Sequence, residues 1–272
     1  MQRDFGLDRR LIKALAKLSI VFPTLVQAKT IPLALAGKDV LVRAKTGAGK
    51  TFAFGLPLIH RLLSQKSSSS TTLHTDKKKK EGKEIRSLIL APTKELCKQI
   101  EKSLNDLLFY CKDDISLCSL SDDNLIVQQY RLQAQPDIVI STPARIVQHI
   151  RANNLRLNAI SMLIIDEADL ILSFGYAEDI QFITTKLPKI VQGLLMSATL
   201  SPELDKFKKI VLNNPAILKL EETKGIGHLL QFYLEIPETD KFLVLYVFIK
   251  LGLLQVNFFV SSFLIIILFL YY

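Results

Sequence analysis

The chain has 272 residues, a formal net charge of +9 and a hydrophobic content of 49%. This length accommodates one α/β domain of about 200 residues plus a remainder, and the apolar content allows a sizeable core. The three cysteines argue against a disulfide scaffold or a zinc site, because their number is odd and they form no Cys-x-x-Cys pair. The positive charge favours an anionic partner such as nucleic acid.

Two helices are predicted before the first strand. Apolar residues recur at helical spacing over residues 7–18, with Asp8 near the start. Residues 22–24, Phe-Pro-Thr, interrupt this pattern, and a second helical stretch over residues 25–35 ends before Gly37. The charged amino-terminal sequence has no apolar core of a signal peptide. The cysteine pattern makes a reducing interior compartment the default expectation.

A phosphate-binding loop is predicted directly after a short apolar strand at residues 40–42. The loop reads AKTGAGKT over residues 44–51, and a helical stretch continues to about residue 63. Lys50 supplies a point charge for the terminal phosphates, the Thr51 hydroxyl is a Mg²⁺ ligand, and backbone N–H groups cradle phosphate oxygens. Ala44 replaces the first glycine of the generic pattern, but the strand–loop–helix context favours nucleotide binding over a chance turn.

Residues 66–84 form a low-complexity stretch, with serine and threonine first and lysine afterwards. Such a composition buries little apolar area, so we predict a mobile loop. Its lysines are candidates for contacts with RNA phosphates, although a solvated loop is the favoured interpretation.

Strands and helices then alternate along the chain. Strands are predicted at residues 86–91, 115–120, 137–141, 162–166, 194–197 and 215–220, and helices at 94–108, 144–152, 178–187 and 202–211. This alternation predicts an α/β fold of three layers, with a mainly parallel sheet covered on both faces. Ligands bind at the carboxyl ends of such strands, so we expect the motifs there to converge in one crevice.

An acidic motif, Asp166-Glu167-Ala168-Asp169, follows the apolar strand at residues 162–165. A carboxylate at a strand tip beside a phosphate loop is placed to hold Mg²⁺, which suits Asp166. Glu167 is placed to orient and deprotonate an attacking water. The alternative is a helix amino terminus that merely favours acidic residues.

Together these motifs resemble the first RecA-like domain of the DEAD-box RNA helicases, over about residues 5–225. The resemblance implies a RecA-like P-loop fold, ATP and Mg²⁺ as cofactors, and RNA held by its backbone. Lys50, Asp166 and Glu167 become the expected catalytic residues, and Thr51 and Asp166 the expected metal ligands. The expected nucleotide-binding residues are Phe5, Gln27, Ala44, Lys45, Thr46, Gly47, Ala48, Gly49, Lys50 and Thr51. Gln27 would read the adenine edge and Phe5 would stack on the base.

The resemblance also implies RNA contacts and a coupling element. The expected RNA contacts are Pro92, Thr93, Lys94 and Glu95 of a PTKEL segment, and Thr142, Pro143 and Arg145 of a TPxR segment. Lys94 stands where arginine is usual, so charge is kept but bidentate phosphate geometry is lost. Ser197, Ala198 and Thr199 are expected to couple ATP state to unwinding through hydrogen bonds to Asp169. The family's paired glycines are absent, because residues 120–123 read LSDD, with two acids near the RNA path.

We expect a Q-motif helical region at residues 1–36, the ATP-binding domain at 37–225, an interdomain linker at 226–250 and an apolar tail at 251–272. A second RecA-like domain is not recognised, so we expect a truncated chain. The tail has three interpretations: a membrane anchor, a buried element, or unrelated sequence from a premature end. We favour the last and expect no membrane partner.

The expected function is that of an ATP-dependent RNA helicase with little activity as this chain alone. The alternative is a non-catalytic module that binds RNA or partners and competes with a full-length helicase. The motif set disfavours a metabolic P-loop kinase. The exact sequences of these motifs resemble those of the nucleolar branch of the family, which assists large ribosomal-subunit assembly. This resemblance implies a role in ribosome biogenesis, pre-ribosomal particles as partners, and a nuclear and nucleolar location.

Overall fold

The computed structural model describes residues 5–71, 84–122, 124–199, 201–220, 234 and 236–251. The chain divides into two compact units, Met1–Glu221 and Glu222–Tyr272. The boundaries predicted at residues 36, 225 and 250 stay predictions.

The first unit alternates strands and helices along its described length. Its strands are β1 (Val40–Arg43), β2 (Ser87–Leu90), β3 (Leu117–Ser119), β4 (Ile138–Ser141), β5 (Met162–Ile165), β6 (Gln192–Ser197) and β7 (Ala216–Lys219). Its helices are α1 (Arg9–Lys17), α2 (Leu25–Leu35), α3 (Lys50–Thr71), α4 (Lys94–Leu107), α5 (Leu125–Gln133), α6 (Pro143–Arg151), α7 (Ala168–Ser173), α8 (Ala177–Thr184) and α9 (Pro202–Val211). The predicted elements are confirmed with ends shifted by a few residues, α3 apart. The sequence did not predict α5 or α7.

The strands form one sheet in the order β3-β4-β2-β5-β6-β1-β7, and every neighbouring pair is parallel. The prediction of a mainly parallel sheet is therefore confirmed. Alternate strand residues enter different cores: Val40 and Val42 pack with α1 to α4, whereas Leu41 packs with α6 to α9. Because both faces are covered, β2, β4 and β5 are apolar and buried at nearly every position, which is why they appear as continuous runs in the sequence.

Helix α3 extends beyond its predicted end and corrects the mobile-loop prediction for residues 66–71, which are helical. The Ser67 hydroxyl donates to the carbonyl of Leu63 at 2.8 Å. Lys66 Nζ lies 2.6 Å from Asp137 Oδ1, which ties this turn to the start of β4. Residues 72–83, the rest of the predicted loop, lie outside the described part of the chain.

The second unit is described over a 3₁₀ turn, Glu238–Asp240, and helix α10, Lys241–Lys250. Helix α10 lies within the range predicted as an interdomain linker, and none of its residues is buried. The apolar tail beyond Leu251 lies outside the described residues. Within the described ranges, no helix combines the length and hydropathy needed to cross a bilayer.

Candidate nucleotide and RNA site

Strands β5, β6 and β1 lie side by side, so the segments that follow them meet at one edge of the sheet. The phosphate loop follows β1, the acidic motif follows β5, and Ser197 ends β6. The Ala44 N–H donates to the carbonyl of Ser197 at 3.0 Å, which joins the loop to β6. The predicted convergence of the motifs in one place is observed.

The phosphate loop owes its shape to two glycines with left-handed backbones. Gly47 has a φ of +84° and Gly49 a φ of +89°, a region that other residues adopt only at a cost. Helix α3 begins at Lys50, immediately after this turn. The amino terminus of a helix and its free N–H groups favour a bound phosphate.

The start of α2 is hydrogen-bonded to the phosphate loop. Thr24 and Gln27 form a capping box, in which Gln27 Oε1 accepts from the Thr24 N–H at 3.0 Å. Thr24 Oγ1 donates to the Ala48 carbonyl at 2.9 Å, and Gln27 Nε2 donates to the Gly49 carbonyl at 3.2 Å. A Cβ on Gly49 would lie 2.6 Å from Gln27 Nε2 and 3.0 Å from Thr24 Oγ1, so a larger residue here would displace the Gln27 amide. Phe5 is half-buried and packs against the core that contains α1 and α2.

Lys50 and Glu167 form a buried ion pair between the phosphate loop and the acidic motif. Lys50 Nζ lies 2.8 Å from Glu167 Oε1, and the side chains are 5% and 10% exposed. Removing either partner would leave a buried charge uncompensated. Glu167 also has a left-handed backbone, with φ +48° and ψ +53°, a strained conformation of the kind that clusters at functional sites.

Asp166 is buried at the tip of β5. Its N–H donates to the carbonyl of Leu90 at 2.9 Å, and its Oδ1 accepts from the Glu167 N–H at 3.0 Å. Burial raises the pKa of Asp166 to about 6, and the nearby Lys50 ammonium partly opposes this shift. Ionising this carboxylate is therefore more costly than ionising one in water, even with the Lys50 ammonium nearby.

The donor set at this edge fits Mg²⁺ delivered with a nucleotide. The Asp166 carboxylate and the Thr51 hydroxyl are hard oxygen ligands, and Mg²⁺ is commonly held by one or two carboxylates plus substrate phosphates. Across the described residues, no group of three or more His, Cys, Asp or Glu side chains forms a metal cage.

The predicted link between Asp169 and the Ser-Ala-Thr segment is observed. Asp169 Oδ2 accepts from the Thr199 N–H at 3.1 Å and from Thr199 Oγ1 at 2.9 Å. The buried Ser197 hydroxyl donates to the carbonyl of Thr199 at 2.8 Å, and half-buried Ala198 lies between them. These bonds join the segment after β5 to the segment after β6.

The two candidate RNA segments lie at the amino termini of helices that follow neighbouring strands. Thr93 caps α4 by accepting from the Leu96 N–H at 3.2 Å, which places Pro92, Lys94 and Glu95 at the end of β2. Thr142 precedes α6, and Pro143 occupies its first turn, so this segment follows β4. Arg145 donates to Gln148 Oε1 at 3.0 Å. Strands β2 and β4 are adjacent, so both segments share one edge.

Sequence reasoning missed a polar network beside these segments. Asp122, one of the two acids expected near the RNA path, has its Oδ2 2.6 Å from Arg131 Nη1. Gln128 and His149 are both buried and hydrogen-bonded to each other. The network centres on α5, an element that the sequence did not predict. Asp123 lies outside the described residues.

Comparisons with known proteins agree on one family. Residues 24–207 match the DEAD/DEAH box helicase family. The chain is 41% identical over 264 residues to the Dictyostelium discoideum protein named "Probable ATP-dependent RNA helicase ddx56", and the match covers 95% of this chain and 37% of the relative. It is 44% identical over 251 residues to "ATP-dependent RNA helicase DBP9" of Coccidioides immitis, covering 92% of this chain and 39% of that protein.

Solved structures show the same fold. A hypothetical ATP-dependent RNA helicase from Sulfolobus tokodaii superposes with a TM-score of 0.67 at 28% identity, over 79% of this chain and 57% of that one. A DEAD box protein from Methanococcus jannaschii superposes with a TM-score of 0.68 at 27% identity, over 90% of this chain and 62% of that one. The expected RecA-like architecture is confirmed.

Proposed function

Because the chain belongs to the DEAD/DEAH box helicase family, we propose that it is the ATP-binding part of an ATP-dependent RNA helicase, which couples ATP hydrolysis to RNA binding and local unwinding. The observation that carries this proposal is the 2.8 Å contact between Lys50 and Glu167. It brings the phosphate-binding charge and the candidate catalytic base to one point. The whole protein's activity is proposed rather than observed, since the chain spans only 37% and 39% of the two relatives compared above.

The ion pair suggests how nucleotide entry prepares the site. A triphosphate at the start of α3 offers Lys50 more negative charge than one carboxylate does, so we expect Lys50 to exchange Glu167 for phosphate oxygens. Glu167 is then released to orient a water and accept its proton. Bound Mg²⁺, held by Thr51 and Asp166, would neutralise charge that develops on the phosphates.

We assign adenine recognition to Gln27 and Phe5. The capping box supports this assignment for Gln27, because the amide is already oriented by Thr24 and touches the phosphate loop. A nucleotide that contacts this amide would therefore affect the Gly49 backbone through the hydrogen bond from Gln27 Nε2.

We assign RNA binding to the PTKEL and TPxR segments, with the Asp169–Thr199 bonds as the link to the nucleotide. Helix amino termini and basic side chains are suited to bind phosphate oxygens. Contacts to the sugar-phosphate backbone of RNA do not depend on the base sequence. We further place the protein with pre-ribosomal particles in the nucleus and nucleolus, in ribosome biogenesis. The support for this placement is the resemblance of the motif sequences to the nucleolar branch of the family.

The test uses a fluorescent ATP analogue with Mg²⁺ and the full chain. Lys50→Ala should weaken binding by roughly tenfold or more, because the terminal phosphates lose their counter-charge. Glu167→Gln should keep nucleotide binding and slow single-turnover hydrolysis by roughly a hundredfold. The exposed Lys98→Ala is the matched control and should behave like the unmodified chain. Unchanged nucleotide binding by Lys50→Ala would overturn the proposal. An RNA affinity that is the same with and without nucleotide in every variant would favour the non-catalytic module.

A further inference from the structure

The loop formed by Leu120, Ser121 and Asp122, here called the 120–122 loop, directly follows β3. Strand β3 pairs with β4, and β4 pairs with β2, so the loop shares an edge with both candidate RNA segments. The loop contains no glycine that would relax its backbone, so we expect contacts from neighbouring side chains to fix its path. Side chains from α5 and α6 provide them.

Gln128 on α5 holds the loop backbone. The side chain is fully buried, and its Nε2 donates to the carbonyl of Leu120 at 3.1 Å and to the carbonyl of Asp122. Both N–H groups of the amide are thereby used, so Oε1 must act as an acceptor. Its partner is His149 Nε2, at 2.8 Å.

His149 extends this connection to α6. Because Gln128 presents an oxygen, His149 must carry its proton on Nε2, which leaves Nδ1 to accept from Asn154 Nδ2 at 3.4 Å. Burial, with a smaller effect of Arg145, lowers the pKa of His149 and favours this neutral form. Arg145, a candidate RNA contact, lies one turn earlier on the same helix.

The acid of the loop is compensated by α5 as well. Arg131 Nη1 lies 2.6 Å from Asp122 Oδ2 and 3.4 Å from the carbonyl of Ser119. Pairing with arginine offsets the negative charge that would otherwise repel a nearby phosphate. Helix α5 therefore holds the backbone of the 120–122 loop through Gln128, and it places the Arg131 charge beside the Asp122 carboxylate.

We propose that Gln128 and His149 are positioning residues that hold the 120–122 loop against α6, in the place where it contacts the sugar-phosphate backbone of RNA. The proposal rests on the RNA-binding function proposed above. Buried polar groups that lose a partner pay a desolvation cost, so the loop should move when the chain Leu120–Gln128–His149 is broken. His149 does not itself touch RNA in this scheme.

The experiment compares His149→Leu with His149→Gln in the full chain. Leucine removes the donor, whereas glutamine keeps an N–H at the same reach. A polyuridine oligonucleotide of about ten nucleotides is titrated by fluorescence anisotropy with a non-hydrolysable ATP analogue present. We expect His149→Leu to weaken RNA binding roughly tenfold while nucleotide affinity stays within about twofold, and His149→Gln to restore RNA binding.

Gln128→Met is the second variant, and its neighbour Gln129→Met, an exposed position, is the matched control. Hydrogen exchange at residues 120–122 should accelerate in Gln128→Met and His149→Leu but not in Gln129→Met. The inference is overturned if His149→Leu binds RNA like the unmodified chain, or if exchange in the loop is unchanged. Absence of RNA binding by the unmodified chain would instead contradict the proposed function.

Discussion

Asp166 shows at the scale of one residue how a binding site costs stability. Its carboxylate is buried, and its pKa rises from 3.8 to about 6. The native state therefore binds this proton more tightly than the unfolded state does. Protonation of Asp166 therefore stabilises the native state. This contribution is fully present below the unfolded pKa of 3.8 and is lost as the pH rises through about 6.

Asp166→Asn should consequently stabilise the nucleotide-free protein above this pH. At about pH 7.5 the variant avoids a buried charge, and we expect its free energy of unfolding to rise by on the order of 1–2 kcal/mol. At about pH 4 the gain should disappear, because Asp166 is then protonated in the native state. Urea unfolding at both pH values measures this difference.

The exposed Asp113→Asn serves as the control and should stay within about 0.5 kcal/mol of the unmodified chain. A loss of stability in Asp166→Asn at neutral pH, or a gain that is independent of pH, would contradict the prediction. Gain of stability with loss of Mg²⁺-dependent nucleotide binding would be the expected trade between stability and function.

At the scale of elements, Asp39 fixes the strand that carries the phosphate loop. Its Oδ1 accepts from the Gly193 N–H of β6 at 2.9 Å, and its Oδ2 accepts from the Asn213 N–H after α9 at 2.7 Å. Its carbonyl accepts from the Ala216 N–H of β7 at 2.9 Å. One residue therefore ties β1 to both neighbours, at the end opposite the nucleotide.

Asp39→Asn should lower the free energy of unfolding by about 2–4 kcal/mol, since an amide replaces one of two charged acceptors with a donor. Urea unfolding compares it with Asp106→Asn, an exposed position that should change little. A loss equal to that of the control would show that these bonds do not fix the register.

The elements that the sequence predicts are those whose burial follows a simple period. Helix α5 escapes prediction because its pattern is inverted: Ile126 and Tyr130 are 76% and 78% exposed, whereas Gln128 is buried. An apolar stripe therefore points to solvent and a polar residue to the core, against the usual rule. Strand β5, buried on both faces, is found easily.

The motif residues of the site are predictable for a related reason, because each motif is local in sequence. Their pairings are not. The contact of Lys50 with Glu167 and that of Gln128 with His149 each join segments that only the tertiary fold brings together. Residue types alone do not show which side chains pair in the fold, so the buried network around α5 could not be predicted from the sequence.

At the scale of the whole molecule, the first unit has a complete sheet of its own, with helices on both faces. We therefore expect a polypeptide of residues 1–221 to fold alone, with the same urea midpoint as the full chain and equal affinity for the ATP analogue. Circular dichroism and analogue titration of both polypeptides check this. A broad, non-cooperative transition in the shorter polypeptide would contradict the prediction.

The position of β1 in the sheet has a consequence for biosynthesis. Its two neighbours, β6 and β7, are the last strands of the first unit to leave the ribosome. Until residue 219 has been translated, the strand that carries the phosphate loop has an open edge, and such distant pairings also form slowly. The nascent chain must therefore wait with its apolar first strand exposed, which makes this interval the one in which a chaperone has most to protect.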